Sequence, residues 1–185
     1  QTFGIDVHYY FLIDFSGFRE LIDTLGGIDV YVSHSFVDPT YPSENFKTKV
    51  ISFDAGWHHF DGETALQYAR SRRGTAGEGS DFARARRQQQ IIIALREKLI
   101  EKSIVLKPHK ISKIIDALGK SIETDMEMWE VLKLVKLAKE IPSESIAQTV
   151  LDDAPDGPLR STIGSDGSFL LVPKEKSELQ TLAQN

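Results

Sequence analysis

Tyr9 to Val32 read YYFLIDFSGFRELIDTLGGIDVYV, and this stretch decides the fold class. Tyr9 to Asp14 is dense in aromatic and branched side chains, the composition of a buried strand. Ser16 stands where a helix cap is wanted, and Phe18, Leu21, Ile22 and Leu25 follow at helical spacing until Gly26 and Gly27 supply the stop. Ile28 to Val32 alternates apolar and polar residues and reads as a second strand. The three together predict a strand–helix–strand unit suited to a right-handed crossover. Downstream, Ser33 to Lys49 turns to Pro, Ser, Asn and Thr, a long loop of the kind that is functional or mobile in compact domains. Val50 to Phe53 predicts a short strand. Asp61 caps a helix that carries Ala65, Leu66 and Ala69 and delivers Arg70 at its end, and Gly74 to Ser80 (GTAGEGS) is a hinge-like loop. Ser80 or Asp81 opens a long helix to about Lys102. Helices over Lys110–Ser121 and Glu127–Glu140, strands over Ser145–Leu151 and Ser168–Val172, and a terminal helix from Lys174 complete the pattern. Strands interleaved with helices predict an α/β fold: a layered α-β-α domain with a central mixed sheet flanked by helices, one domain over residues 1–185.

The composition is that of a globular chain large enough for a sizeable core, with 41% hydrophobic and 26% charged residues among 185. Cysteine is absent, which excludes disulfides and thiolate metal sites. No apolar run approaches the ~20 residues of a membrane helix. The first residues lack the basic start and apolar stretch of a signal peptide. A chain that begins at Gln1 and enters a strand-like run almost at once is expected to be a piece of a longer protein, with any anchor upstream.

Twenty-seven acidic residues against 22 basic give a net charge of -5, yet six of the nine arginines lie between positions 70 and 87. Guanidinium groups match phosphate and carboxylate oxygens in a bidentate fork. A basic focus on an acidic protein therefore points to one anionic ligand at one place, whereas a polyanion asks for a whole positive face. Few aromatics interleave with these arginines to stack bases, which together with the net charge argues against nucleic acid. On a helical wheel, Asp81, Arg84, Gln88, Ile91, Ile92, Leu95 and Leu99 share one side, apolar from Ile91 onward and so assigned to the interior. Its first two turns carry an acid, an arginine and an amide, which must find partners or line a polar cavity. Arg70 and Arg72, reaching across the glycine-rich loop, would join Arg84 and the helix N-terminus in an anion pocket. The simpler reading is that Asp81 pairs with Arg84 or Arg70 and only ties the helix to its neighbour. Arg86, Arg87, Gln89 and Gln90 fall off the stripe and are assigned to a solvated face.

The runs DGETALQYARSR (Asp61 to Arg72) and SDFARARRQQQ (Ser80 to Gln90) resemble the signature of the LytR–CpsA–Psr family. Tyr9 to Val32, IETDMEMWEVLKL (Ile122 to Leu134) and FLLVP (Phe169 to Pro173) resemble further parts of it, so that nearly the whole chain is covered. The resemblance implies the C-terminal larger part of the family domain, in a cell-envelope phosphotransferase. Such enzymes move an anionic glycopolymer, teichoic acid or capsule for instance, from a polyprenyl-pyrophosphate carrier to peptidoglycan. It implies that Arg70, Arg72 and Arg84 grip the pyrophosphate, that Asp81 orients them, and that Gln88 completes the pocket. It also implies a Mg²⁺ cofactor, a tunnel for the lipid tail and an extracytoplasmic protein anchored in the membrane. In the family, the acids that hold Mg²⁺ and a further arginine precede the stretch matching Tyr9. Those ligands are therefore expected outside this chain, and the chain alone is expected to transfer little or nothing. The alternative is a non-catalytic module that binds lipid pyrophosphate or glycopolymer.

Four other features read as structural. His58 and His59 are adjacent in a strand-like run, and their side chains diverge, against joint metal ligation. DDAPDG (Asp152 to Gly157) lacks the ligand spacing of a calcium loop and is taken as a turn. Asp38, in VDPTYP, is assigned to a turn with the pocket mouth as the second option. Tyr68 is taken as a packing residue.

Overall fold

The computed structural model describes residues 6–101, 108–142 and 145–175. These divide into two compact units: residues 9–148, and residues 6–8 with 149–175. In chain order the elements are β1 (Phe11–Ile13), α1 (Phe15–Thr24), β2 (Ile28–Val32), β3 (Phe36–Pro42), β4 (Thr48–Phe53), β5 (Gly56–Phe60), α2 (Gly62–Arg70), α3 (Asp81–Glu101), α4 (Pro108–Leu118), β6 (Ile122–Thr124), α5 (Met128–Glu140), β7 (Leu159–Ile163) and β8 (Phe169–Pro173). Helices and strands are interleaved in runs, four strands from β2 to β5 followed by three helices from α2 to α4, within a mixed α/β chain. The described strands pair as four two-stranded antiparallel ladders, β1–β6, β2–β5, β3–β4 and β7–β8, in place of one mixed sheet.

Two expectations for the opening stretch are corrected. Asp14, not Ser16, caps α1: its Oδ1 accepts the Gly17 N–H at 2.7 Å and the Ser16 hydroxyl at 2.8 Å. β1 pairs with β6 and β2 with β5, so the strand–helix–strand unit does not close as a parallel pair. Gly26 and Gly27, at φ 75° and 85°, end the helix as expected, with the Gly27 N–H returning to the Ile22 carbonyl at 2.9 Å.

The stretch read as a loop, Ser33 to Lys49, holds β3 and the first residues of a longer β4. Pro39 conceals the strand from the sequence. It has no N–H for a ladder, and it sits where the register shifts between Asp38 and Tyr41. Ser145–Leu151 forms no strand, and β8 pairs with β7. The predicted helix over Lys110–Ser121 stops at Leu118, where Gly119 at φ 46° leads into a single 3-10 turn. The terminal helix expected from Lys174 falls largely outside the described residues.

The core that positions the site is aromatic. Phe36 and Phe53 lie 5.2 Å apart between ring centres, and Tyr68 lies 5.1 Å from Phe53 and 5.4 Å from Phe60. Ile22, Val30 and Ile91 close this cluster from α1, β2 and α3. Burial of these side chains, at ~25 cal/mol per Å² of apolar surface, fixes α2 and α3 side by side. A second cluster around Leu25 and Ile111 joins α1, α4 and α5.

Candidate functional site

The site is built where α2 ends. Asp61 caps this helix through the Thr64 N–H at 2.8 Å. Its buried face of Ala65, Leu66, Tyr68 and Ala69 carries the chain to Arg70. Ser71 (φ -53°, ψ 133°) leaves the helix in extended backbone, where successive side chains take opposite sides. Ser71 is fully buried, while its neighbours Arg70 and Arg72 reach the cavity.

Asp38 on β3 receives Ser71. Its Oδ2 accepts the Ser71 hydroxyl at 2.7 Å and the Arg73 N–H at 3.2 Å, and its Oδ1 accepts the Thr40 N–H at 3.0 Å. Burial pushes this carboxyl up, but the bonds from Ser71 and from the Thr40, Arg73 and Arg72 amides prevail and hold it below the usual aspartate range. The turn role assigned to Asp38 thus understates it: the residue is a buried carboxylate on the cavity wall, only 2% exposed.

The interior stripe of α3 differs from the expected one. Ala83, Arg87, Ile91, Ala94 and Lys98 are buried, whereas Ile92 is 65% exposed. At about 100° per residue the observed stripe is rotated by roughly 90° from the expected one, and Arg87 faces inward in place of Arg84. Arg87, assigned to the solvated face, is 2% exposed and braces the turn. Its Nε donates to the Tyr68 carbonyl at 2.9 Å, and one terminal nitrogen donates to the Ser71 carbonyl at 2.6 Å. The other donates to the Glu78 carbonyl at 2.9 Å and the Glu78 carboxylate at 2.6 Å. The guanidinium also lies 4.9 Å from the centre of the Phe36 ring. An arginine can occupy an interior stripe when its fork finds this many acceptors.

With the stripe rotated, Arg84 and Gln88 stand beside the core and face a cavity of about 1110 Å³. Arg70, Arg72, Arg73, Arg84 and Gln88 line it, with Asp38, Phe15 and, at the β3–β4 hairpin end, residues 41–43 and 45–48. Four of the five expected site residues therefore share one cavity. The fifth, Asp81, is not on its wall but binds two that are: its carboxylate lies 3.1 Å from Arg72 and 3.0 Å from Arg84. Of the two partners named in the simpler reading, Arg84 is found on Asp81, whereas Arg70 stacks on Phe15 at 3.9 Å. Beside the same guanidinium, Tyr41 is pushed up by burial, and the positive charge of Arg70 opposes the rise. Gln88 donates to the Ala69 carbonyl at 3.4 Å, tethering the end of α2. Ser80 caps α3 through the Ala83 N–H at 3.0 Å, so part of the helix end is already satisfied.

The arrangement can hold a multiply charged anion against four guanidinium groups, with apolar surface from Phe15, Pro42 and Phe46 alongside. A divalent metal does not fit these residues. Asp38 has both oxygens engaged and Asp81 is held between two arginines. No group of three His, Asp or Glu side chains that could bind a metal occurs among the described residues.

The features read as structural are placed accordingly. Tyr68 is buried, donates to Gln90 at 2.7 Å and is pushed up to about 12 by burial. His59 bonds to Asp29 at 2.7 Å and His58 to the Asp54 carbonyl at 2.8 Å. Asp152 to Gly157 form a turn closed by the Gly157 N–H on the Ala154 carbonyl. Asp38 and Arg87 are the two residues the sequence reading underrated. Period two from Phe36 would have turned Asp38 inward, had the strand been recognised.

The LytR_cpsA_psr family matches residues 1–184. The polyisoprenyl-teichoic acid–peptidoglycan teichoic acid transferase TagV of Bacillus subtilis is 34% identical over 142 residues, 77% of this chain and 34% of that protein. The transferase of the same description, TagU, from Oceanobacillus iheyensis is 30% identical over 135 residues, 73% of this chain and 38% of that protein. The chain thus spans a little over a third of the length of these relatives. The crystal structure of B. subtilis TagV superposes with a TM-score of 0.69 at 27% identity, over 99% of this chain and 65% of that one. A LytR-Csp2A-Psr enzyme from Actinomyces oris shares the fold, with a TM-score of 0.66 at 19% identity over 98% of this chain and 64% of that one.

Proposed function

We propose that this chain, which belongs to the LytR–CpsA–Psr family, forms the diphosphate-gripping wall of a cell-envelope phosphotransferase. Its substrate is an anionic glycopolymer on a polyprenyl-pyrophosphate carrier, and its acceptor is peptidoglycan. The observation that carries this reading is the convergence of Arg70, Arg72, Arg84 and Gln88 from two segments on one cavity, with Asp81 spanning two of the arginines. The names of TagV and TagU support teichoic acid as the polymer class. The mixed lining supports an amphiphile, whose charged head meets the arginines while an apolar tail meets Phe15, Pro42 and Phe46.

In the proposed reaction a peptidoglycan hydroxyl attacks the phosphorus attached to the sugar. The bond from that phosphorus to the bridging oxygen breaks, polyprenyl phosphate leaves, and the hydroxyl proton passes to solvent. The protein contributes alignment and charge neutralisation, which dominate phosphoryl transfer. Arg70, Arg72 and Arg84 would stabilise the charge that develops on the leaving phosphate, and Gln88 would donate to a phosphate oxygen. Asp38 is no candidate for the base, since its oxygens already accept from Ser71 and backbone amides. Mg²⁺ would add further neutralisation when bound, and its carboxylate ligands are proposed to lie outside the described residues. The proposed place of action is extracytoplasmic, with a membrane anchor in the full-length protein. No helix among the described residues is long and apolar enough to cross a membrane.

Calorimetric titration with geranylgeranyl diphosphate tests the reading. Arg70→Ala and Arg84→Ala should each weaken binding by about tenfold or more, the worth of a lost charge-assisted hydrogen bond. A second arm follows transfer of lipid-linked teichoic acid to peptidoglycan by the full-length protein, which the same substitutions should abolish. Unchanged binding in both variants would remove the site.

A further inference from the structure

A carboxylate on the wall of an anion cavity is a contradiction unless it does something else. Asp38 lines the cavity with Arg70, Arg72, Arg73 and Arg84, and its charge opposes any phosphate placed there. It is nonetheless buried, and each of its oxygens is occupied by a donor from the protein. Those donors are the meaning of the residue. Oδ2 takes the Ser71 hydroxyl and the Arg73 amide, the side-chain and main-chain groups that alternate with the arginines. From the opposite side Arg87 holds the Ser71 carbonyl at 2.6 Å. One residue further along, β3 and the turn exchange a second pair of bonds. The Thr75 N–H donates to the Val37 carbonyl at 2.9 Å, and the Val37 N–H donates to the Thr75 hydroxyl at 3.0 Å.

We propose that Asp38 is the positioning residue of the arginine cavity: by clamping Ser71 and the Arg73 amide it sets the backbone from which Arg70, Arg72 and Arg73 leave for the ligand. It touches no reacting atom and acts through those three side chains. The clamp rests on the diphosphate reading for its ligand but not for its geometry.

The sign of one measurement separates positioning from simple electrostatics. If Asp38 were only a charge beside the cavity, Asp38→Asn would tighten binding of an anion. If it positions the arginines, the same change weakens binding. Asparagine would turn an N–H toward either the Thr40 amide or the Arg73 amide, donor against donor. Asp38→Asn should weaken geranylgeranyl diphosphate binding by about tenfold. Ser71→Ala, which removes one clamp bond and leaves the fold intact, should weaken it by a smaller factor. In a double-mutant cycle, Arg72→Ala should cost much less on the Asp38→Asn background than on the unsubstituted chain. Tighter or equal binding in Asp38→Asn, or full additivity with Arg72→Ala, overturns the proposal.

Amide hydrogen exchange reads the clamp without any ligand. In Asp38→Asn the Arg72 and Arg73 amides should exchange about tenfold faster or more, while the amides of α3 keep their protection. If the unsubstituted chain binds no diphosphate, the ligand reading fails, and exchange at these two amides alone decides the role of Asp38. Unchanged exchange there would dismiss it.

Discussion

Arg87→Ala is the substitution with the most to lose. Arg87 gives four hydrogen bonds, three to main-chain carbonyls of Tyr68, Ser71 and Glu78 and one to the Glu78 carboxylate. Its side chain is 2% exposed and that of Glu78 12%, so water does not replace the fork when it is cut away. Removing one partner of a buried pair costs about 3–5 kcal/mol, chiefly through the unpaired charge left behind. Hydrogen bonds to charged groups at ~1.5–3 kcal/mol each place the loss in the same range even if water rescues half of them. Against a total stability of about 5–15 kcal/mol that is a large fraction. Arg87→Lys keeps the charge but not the planar fork and should cost about 3 kcal/mol, because two of the four bonds are lost. Arg86→Ala, one residue earlier and exposed, should stay within about 0.5 kcal/mol. Urea unfolding followed by circular dichroism, with the slope m checked for constancy, measures all three. If Arg87→Ala costs less than about 1 kcal/mol, or no more than Arg86→Ala, the brace is not what the geometry says it is.

Three further outcomes can be measured on the same material. Gly62→Ala should destabilise by about 1–3 kcal/mol, since a Cβ there would press into the backbone of Arg19 and force α1 and α2 apart; an unchanged urea midpoint would show the contact to be yielding. Asp81→Asn should change stability by less than about 1 kcal/mol, because its ion pairs with Arg72 and Arg84 are largely exposed and salt-screened, and a larger loss would mean that Asp81 ties the helix structurally. Acid melts should report Asp38. With its folded pKa below the unfolded value of ~3.9, the unfolded state binds the proton first, so the stabilisation is complete above that value and is lost as pH falls through the folded pKa. Asp38→Asn should flatten that part of the acid limb, and an identical limb would show that other carboxylates set it.

What could be read from the sequence follows the physics of each signal. β2, α2 and α3 were legible to within a residue or two because period and caps agreed: Ile28, Val30 and Val32 alternate, Asp61 caps, and Ser80 caps. The β3–β4 hairpin was hidden because Pro39 breaks the pattern at the bulge, and with the strand hidden, Asp38 had no face to be assigned to. Helix capping by Asp14 was missed by two residues because Asp and Ser both cap, and only the Gly17 amide chooses between them. That Arg70, Arg72, Arg84 and Gln88 share one cavity was legible through their spacing. Their rotation about α3 was not, because Ile91, Ile92, Leu95 and Leu99 set the wheel, whereas Ile92 is exposed and the small Ala83 and Ala94 are buried. Chemistry supplied by Tyr68, Ser71 and Glu78, all outside the helix itself, made Arg87 an interior one.

That rotation separates two kinds of arginine inside one short run. A guanidinium has five N–H donors, and a ligand can be gripped only by those the fold has not already taken. At Arg87 the fold takes four bonds, and the residue belongs to the scaffold. Arg72 and Arg84 share a single exposed acid, and Arg70 rests its face on Phe15, so their forks remain open toward the cavity. Asp81 ties its two arginines to one carboxylate without burying either, which limits the side-chain entropy lost when an anion binds beside them. Scaffold and grip are therefore interleaved three residues apart on the same helix. Density of positive charge alone cannot distinguish them, whereas the count of occupied donors does.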